Sequence, residues 1–255
     1  MSTLVFATFP FLNQQDTITI RQVLADAEPQ ITGKWLLGGS NGYRLLLPSE
    51  LGAHSLANLN LVVYPKPGQS CLELVAPGIK NNFYVTHIDR MGRGYYFGMV
   101  HKTSGLWVDI FTPEHTPSFV PVVVAGQAIN VESIPETLYA ILRDLLWRQQ
   151  RGMLIRASLV EAAALLWKYV DHDQLYRIFA AHPGEYQSLV PADIAKTPEA
   201  ITAHALTIAP FKPADWSPQP SYPTDCINTE NGITIEPPDQ FALATQLHLS
   251  KRING

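Results

Sequence analysis

A Gly-Gly-Ser stretch at 38–40, asparagines at 58 and 60, and an aspartate at 109 are the residues of this chain whose types and spacing can do chemistry together. Two glycines let a backbone pass close to a bound group, and the N–H groups that open a following helix offer a seat for phosphate oxygens. Alone, Gly-Gly-Ser is weak, because strand-to-helix turns use glycine for steric reasons only. Side chains at alternate strand positions point the same way, so residues 58 and 60 share a face, and Asp109 from a neighbouring strand can complete a metal site. A turn for a triphosphate, acids for Mg²⁺ and a strand that fixes the acids are what nucleotidyl transfer requires.

The acids are the weak point. An amide oxygen can coordinate Mg²⁺, but it brings no charge and cannot take a proton from an attacking hydroxyl. Asn58 and Asn60 read equally as polar residues at the entry of a strand, and Asp109, the one acid of the three, is by itself a weak anchor for a cation. Within Trp107-Val108-Asp109-Ile110-Phe111 it is either an outward-facing strand residue or a held functional group. Glu73 and Asp89 are other acids able to take over the lost role. Arg44, one turn after Ser40, is a candidate phosphate contact, while Arg143, Arg148 and Arg151 share the side of their helix away from Leu138, Leu142 and Leu145 and read as a solvated face. His87 and Asp89, two apart, can share one side of a strand. No His-x-x-x-His pair, Walker-type Gly-Lys, Gly-x-Gly-x-x-Gly or Gly-x-Ser-x-Gly is present, so zinc, P-loop, dinucleotide and hydrolase-elbow chemistry have no support.

The elements that position these residues follow from local pattern. Residues 16–28 read as a helix with Asp16 as N-cap. Over 33–47 a strand, the turn and a helix capped by Ser40 are expected. Asn58 to Tyr64 is a strand that begins half exposed and becomes buried. Strands at 82–88, 95–101 and 106–111 form a meander, with further strands at 119–124 and around 129–131. Ser133-Ile134-Pro135-Glu136 has capping-box spacing before Leu138, Ile141, Leu142 and Leu145, and further helices are expected from Ser158, at 173–181 and from Thr197. Five prolines within 210–223 mark a connector, followed by a short strand at 233–235 and a helix from Asp239.

Taken together, Leu37-Gly38-Gly39-Ser40, the alternating polar pair some twenty residues on, and an acid in a later strand resemble the nucleotidyltransferase superfamily that includes DNA polymerase β. The nearer resemblance is to its small bacterial members, including toxins of abortive-infection systems. It spans roughly residues 16–182 and rests on order and spacing more than on identity. It continues through Val131-Glu132-Ser133 and the helix bearing Arg143 to Arg151. It implies an α+β fold: a mixed sheet with flanking helices over 1–130, a helical lobe over 131–208, and a connector with a C-terminal extension over 209–255. It also implies Gly38, Gly39, Ser40, Arg44 and Arg143 as nucleotide contacts, a nucleoside triphosphate as ligand and Mg²⁺ as cofactor if the protein is active. Two of the three expected acids are replaced, so transfer is expected to be impaired or absent. The alternative is a non-catalytic interaction or regulatory protein, of toxin–antitoxin type, that keeps the fold as a scaffold for a protein partner.

Composition sets the outer bounds. Charged residues make up 16% of the 255 positions, against a usual share of about 25%, and hydrophobic residues 46%, which fits a packed core. The formal net charge of −4 recruits no nucleic acid globally. Two cysteines are too few for a disulfide framework or thiolate zinc site. With no apolar run long enough for a membrane helix, a cytoplasmic, membrane-free protein is expected.

Overall fold

The structure, a computed structural model, describes residues 9–47, 56–91, 94–113, 116–124, 127–212 and 233. The chain divides into two compact units, Met1–Glu132 with Tyr222–Gly255, and Ser133–Ser221. The class is α+β, as expected. No described helix is long and apolar enough to cross a membrane.

The first unit opens with α1 (Gln14–Ala27). Its N-cap is Asn13, whose side chain accepts from the Asp16 N–H at 2.7 Å, and not Asp16 itself. Asp16 is buried within the first turn, where its Oδ2 accepts from the Leu56 N–H at 3.1 Å. A short side-chain acceptor on either side of the true start gives nearly the same sequence signal, which is why the cap was displaced by three positions.

Seven strands then form one sheet: β1 (Lys34–Gly38), β2 (Asn58–Tyr64), β3 (Phe83–Met91), β4 (Gly94–His101), β5 (Trp107–Thr112), β6 (Phe119–Val124) and β7 (Gln127–Glu132). The order is β3-β4-β5-β2-β1-β7-β6. β3, β4 and β5 are the expected antiparallel meander. β2 pairs parallel to β5 and β1 parallel to β7, so the sheet is mixed. Between β1 and β2 lies α2 (Gly39–Tyr43), whose N-cap is Gly38 and not Ser40. Among the described residues, three short 3₁₀ helices, Glu28–Gln30, Cys71–Leu74 and Pro77–Asn81, went unrecognised in the sequence.

Strand alternation sends one set of side chains to the core. Leu59, Leu61 and Val63 of β2, Val108 and Ile110 of β5, Phe97 and Met99 of β4, and Val131 of β7 pack with Ile20, Val23 and Leu24 of α1. Ile233, a hundred residues downstream of β7, is fully buried in the same cluster. The opposite face carries the small cluster of Leu36, Val62 and Tyr64, together with the candidate site.

His101 is fully buried at the end of β4. Its Nδ1 accepts from the Ser104 N–H at 3.2 Å, so its Nε2–H donates to Asp26 Oδ2 at 3.0 Å. Burial lowers its pKa, with Asp26 opposing. The fold therefore holds it neutral while the unfolded chain takes up a proton below its ordinary value of 6.5. Its contribution to stability is complete above that value and is lost as pH falls through the folded pKa. His87 is shifted in the same direction. We therefore expect the urea midpoint to drop between pH 7.5 and 5 by more in the wild type than in His101→Gln, and an equal drop would refute the role of His101.

The described residues of the second unit form α3 (Ile134–Gln150), α4 (Ala157–Trp167), α5 (His172–Ala181), α6 (Pro183–Tyr186) and α7 (Pro198–Leu206). Ser133 and Thr197 cap α3 and α7 through their side chains, as the spacing implies. α4 begins one residue before Ser158 and has no side-chain cap. Leu138, Leu142, Leu145 and Leu146 form the buried side of α3, and Tyr139 meets Phe179 edge-on at 4.8 Å. The 213–223 part of the connector, the 234–235 part of the expected strand and the helix from Asp239 lie outside the described residues.

Candidate functional site

Strand register assembles the site. Gly38 lies opposite Asn60, Asn60 opposite Asp109, Asp109 opposite Gly98, and Gly98 opposite His87. Directly opposed residues point to the same face, so five strands contribute to one transverse row. Asn58 and Trp107 are opposed two positions away and share that face. The sequence expectation that residues 58, 60 and 109 converge is therefore met in position.

Within the row the side chains bond to one another. The Asn58 Nδ2 donates one hydrogen to Asp109 Oδ2 at 2.6 Å and the other to Asn60 Oδ1 at 2.8 Å. The carboxylate accepts only, which fixes the orientation of the Asn58 amide. Asp109 Oδ1 accepts from the Tyr96 O–H at 2.5 Å and from the Trp107 Nε1–H at 3.1 Å. Asp109 is 7% exposed, and the Asn58, Tyr96 and Trp107 donors all point at its carboxylate. Burial and the adjacent Asp109 charge push the Tyr96 pKa far up, so the phenol stays protonated and remains a donor. Among the described residues no group of three or more His, Cys, Asp or Glu side chains can hold a metal ion.

Two glycines make room for the row. Gly39 has φ +58°, and a Cβ there would sit 2.0 Å from Asn60 Nδ2. Gly98 lies beneath the His87 ring, and a Cβ there would sit 2.2 Å from His87 Cε1. The His87 ring in turn meets Tyr96 edge-on at 4.9 Å, and Tyr96 stacks on Phe111 at 5.0 Å. Thr86 Oγ1 donates to the Gly98 carbonyl at 2.8 Å, so His87 Nδ1, at 2.7 Å from the same oxygen, is the donor. The expected His87–Asp89 pair is separated by 3.9 Å.

Around the Gly38-Gly39-Ser40 turn, Asn41 is 1% exposed and its Nδ2 donates to the Asn58 carbonyl at 2.7 Å. Arg44 closes α2, and its Nε is buried without a hydrogen-bond partner. Glu132 is an acid that the sequence did not single out: its Oε2 lies 3.4 Å from where a Gly38 Cβ would stand. A carboxylate there disfavours a phosphate over Gly38. Glu73 lies in the 3₁₀ helix Cys71–Leu74, outside the row, and Asp89 lies two residues beyond His87 on β3. Arg143 belongs to the second unit, where its guanidinium carbon is 5.9 Å from the Tyr139 ring centroid. Arg148 pairs with Asp144 at 2.8 Å and Arg151 lies over Trp147 at 4.5 Å.

Tyr96, Trp107 and Glu132 are the residues that sequence reasoning missed. The available signal was parity: Trp107 is two positions before Asp109, and Tyr96 falls on the same face once Gly98 is placed opposite Asp109.

No protein-family model and no curated protein matches the chain. Among solved structures, the chain is similar to an antigenic nucleotidyltransferase-like protein from Paracoccidioides brasiliensis, at 12% identity and TM-score 0.38, covering 75% of this chain and 94% of that one. It is similar also to the antibiotic-resistance factor ANT(2'')-Ia, at 16% identity and TM-score 0.44, covering 68% and 96%. A third is JHP933 from Helicobacter pylori, at 13% identity and TM-score 0.30, covering 77% and 93%.

Proposed function

We propose that this chain is a nucleotidyltransferase-like protein that has lost metal-dependent transfer and keeps a metal-independent nucleotide contact at the Gly38-Gly39-Ser40 turn. The observation that carries the first half is the Asn58 amide, which bridges Asp109 and Asn60. A catalytic ion would have to displace this donor, Tyr96 and Trp107 from the only acid of the trio, and two amides would supply it with no charge. The residues present do not fit Mg²⁺. Support for the second half is the left-handed Gly39, which brings the turn close to Asn60, and the unpartnered buried Nε of Arg44, a donor suited to an anion.

Glu132 beside Gly38 favours a second reading, a non-catalytic interaction protein that uses the fold as a scaffold for a protein partner. Thermal melting with a nucleoside triphosphate separates the two. Ligand that binds the native state raises the melting temperature according to its excess over Kd. The expected rise is equal in Mg²⁺ and in EDTA. A rise that requires Mg²⁺, accompanied by transfer of labelled nucleotide, contradicts the loss of catalysis. No rise at millimolar nucleotide removes the nucleotide contact and leaves the scaffold.

A further inference from the structure

The two ends of the sheet are finished differently. β3 at one end carries a register shift between Val85 and His87 and presents His87 and Asp89. β6 at the other end reads Phe119-Val120-Pro121-Val122-Val123-Val124, with no charge at all. Phe119 and Val120 are each 41% exposed and Val123 is 72% exposed. A long, apolar, uncharged edge is a template for another strand unless something blocks it.

Register identifies the block. β6 and β7 are joined by only two residues, so the closing pair Val124–Gln127 exchanges backbone hydrogen bonds, and so do Val122–Ile129 and Val120–Val131. The backbone groups of Phe119, Pro121 and Val123 therefore face away from the sheet. Proline sits at the central one of these three positions, where its missing N–H costs the sheet no ladder bond. A second β6 laid antiparallel along this edge by a two-fold axis would place 121 opposite 121 and 119 opposite 123. Both bonds of its central pair would need the N–H that proline lacks, and each ring would occupy the space of the incoming carbonyl.

We propose that Pro121 is the device that stops this chain from pairing edge to edge with a second copy of itself, and that the occupant this edge would otherwise accept is β6 of that copy. The apolar side chains are compatible with a two-fold contact because nothing on either strand repels its mate. With the donor restored, the outward groups at 119, 121 and 123 form an unbroken ladder across the dyad.

Sedimentation of the full chain over a concentration series tests this. The expected result is that Pro121→Thr raises the weight-average mass toward twice that of the monomer as concentration increases, above any association of the wild type. Adding Phe119→Lys and Val123→Lys places like charges directly opposite each other in the pairing and should return the mass to the wild-type value. Both positions are exposed, so the lysines leave the core untouched. An unchanged mass in Pro121→Thr overturns the proposal, and so does an increase that survives the two lysines. A wild-type dimer that the two lysines dissolve also overturns it, because the edge would then be open with proline in place. Should Pro121→Thr fail to fold by circular dichroism, Pro121→Ala restores the same N–H and is read in the same way.

Discussion

Asn58→Asp combined with Asn60→Asp is expected to unfold far more easily than the wild type in EDTA and to recover on addition of Mg²⁺. The double change removes the hydrogen bonds at 2.6 and 2.8 Å and places three carboxylates in contact where one amide now bridges two acceptors. Like charges that close cannot all ionise without a cation, and the cost of one such pair reaches a few pKa units, or about 3 kcal/mol. Mg²⁺ restores the balance by binding only the native arrangement, so its effect should grow with concentration. Urea denaturation of both proteins with and without Mg²⁺ measures this. If the double variant matches the wild type in EDTA, the three side chains do not form one cluster.

Asp109→Leu carries the second large effect. Leucine fills similar space and gains apolar burial of about 1.5–3 kcal/mol. Against this, the Asn58 amide, the Tyr96 hydroxyl and the Trp107 indole N–H lose their acceptor together. Each such loss costs about 1–3 kcal/mol, more where the lost acceptor is charged, so the losses win and a net destabilisation of about 3 kcal/mol is expected. Combining Asp109→Leu with Tyr96→Phe should cost less than the sum of the two single changes, because one orphaned hydroxyl is removed with its partner. Additive free energies would show that Tyr96 and Asp109 act independently.

The fold was legible where local pattern and packing agree. The meander, the mixed class and the caps at Ser133 and Thr197 follow from alternation and capping spacing, which are properties of neighbours in sequence. The convergence of residues 58, 60 and 109 was legible too, since parity alone assigns a face. What the cluster does was not. Whether Asn58 offers its amide to a carboxylate or its oxygen to an ion depends on the register that sets Asn60 opposite Asp109 and Tyr96 opposite Phe111. Hydrophobic alternation fixes register only to within steps of two, and each step brings different partners to the row. Glu132 was invisible for the same reason: its nearness to Gly38 arises from a parallel pairing of segments almost a hundred residues apart. The displaced caps at Asn13 and Gly38 are smaller errors of the same kind, in which several adjacent residues could serve and backbone geometry chose between them.

Ile233 imposes an order on biosynthesis. Its side chain lies in the hydrophobic cluster of the first unit, yet it is translated 101 positions after Glu132. At about 5–20 residues per second, the ribosome needs roughly 5–20 s to add that stretch. For that interval the seven strands have been made, and the place in their core that Ile233 fills is still vacant. The second unit, continuous from Ser133 to Ser221, can complete its own packing first. The nascent first unit therefore lacks one of its core side chains during this interval, and its half-life in a translation-arrested chain stopped before Ile233 should be shorter than in one stopped after it.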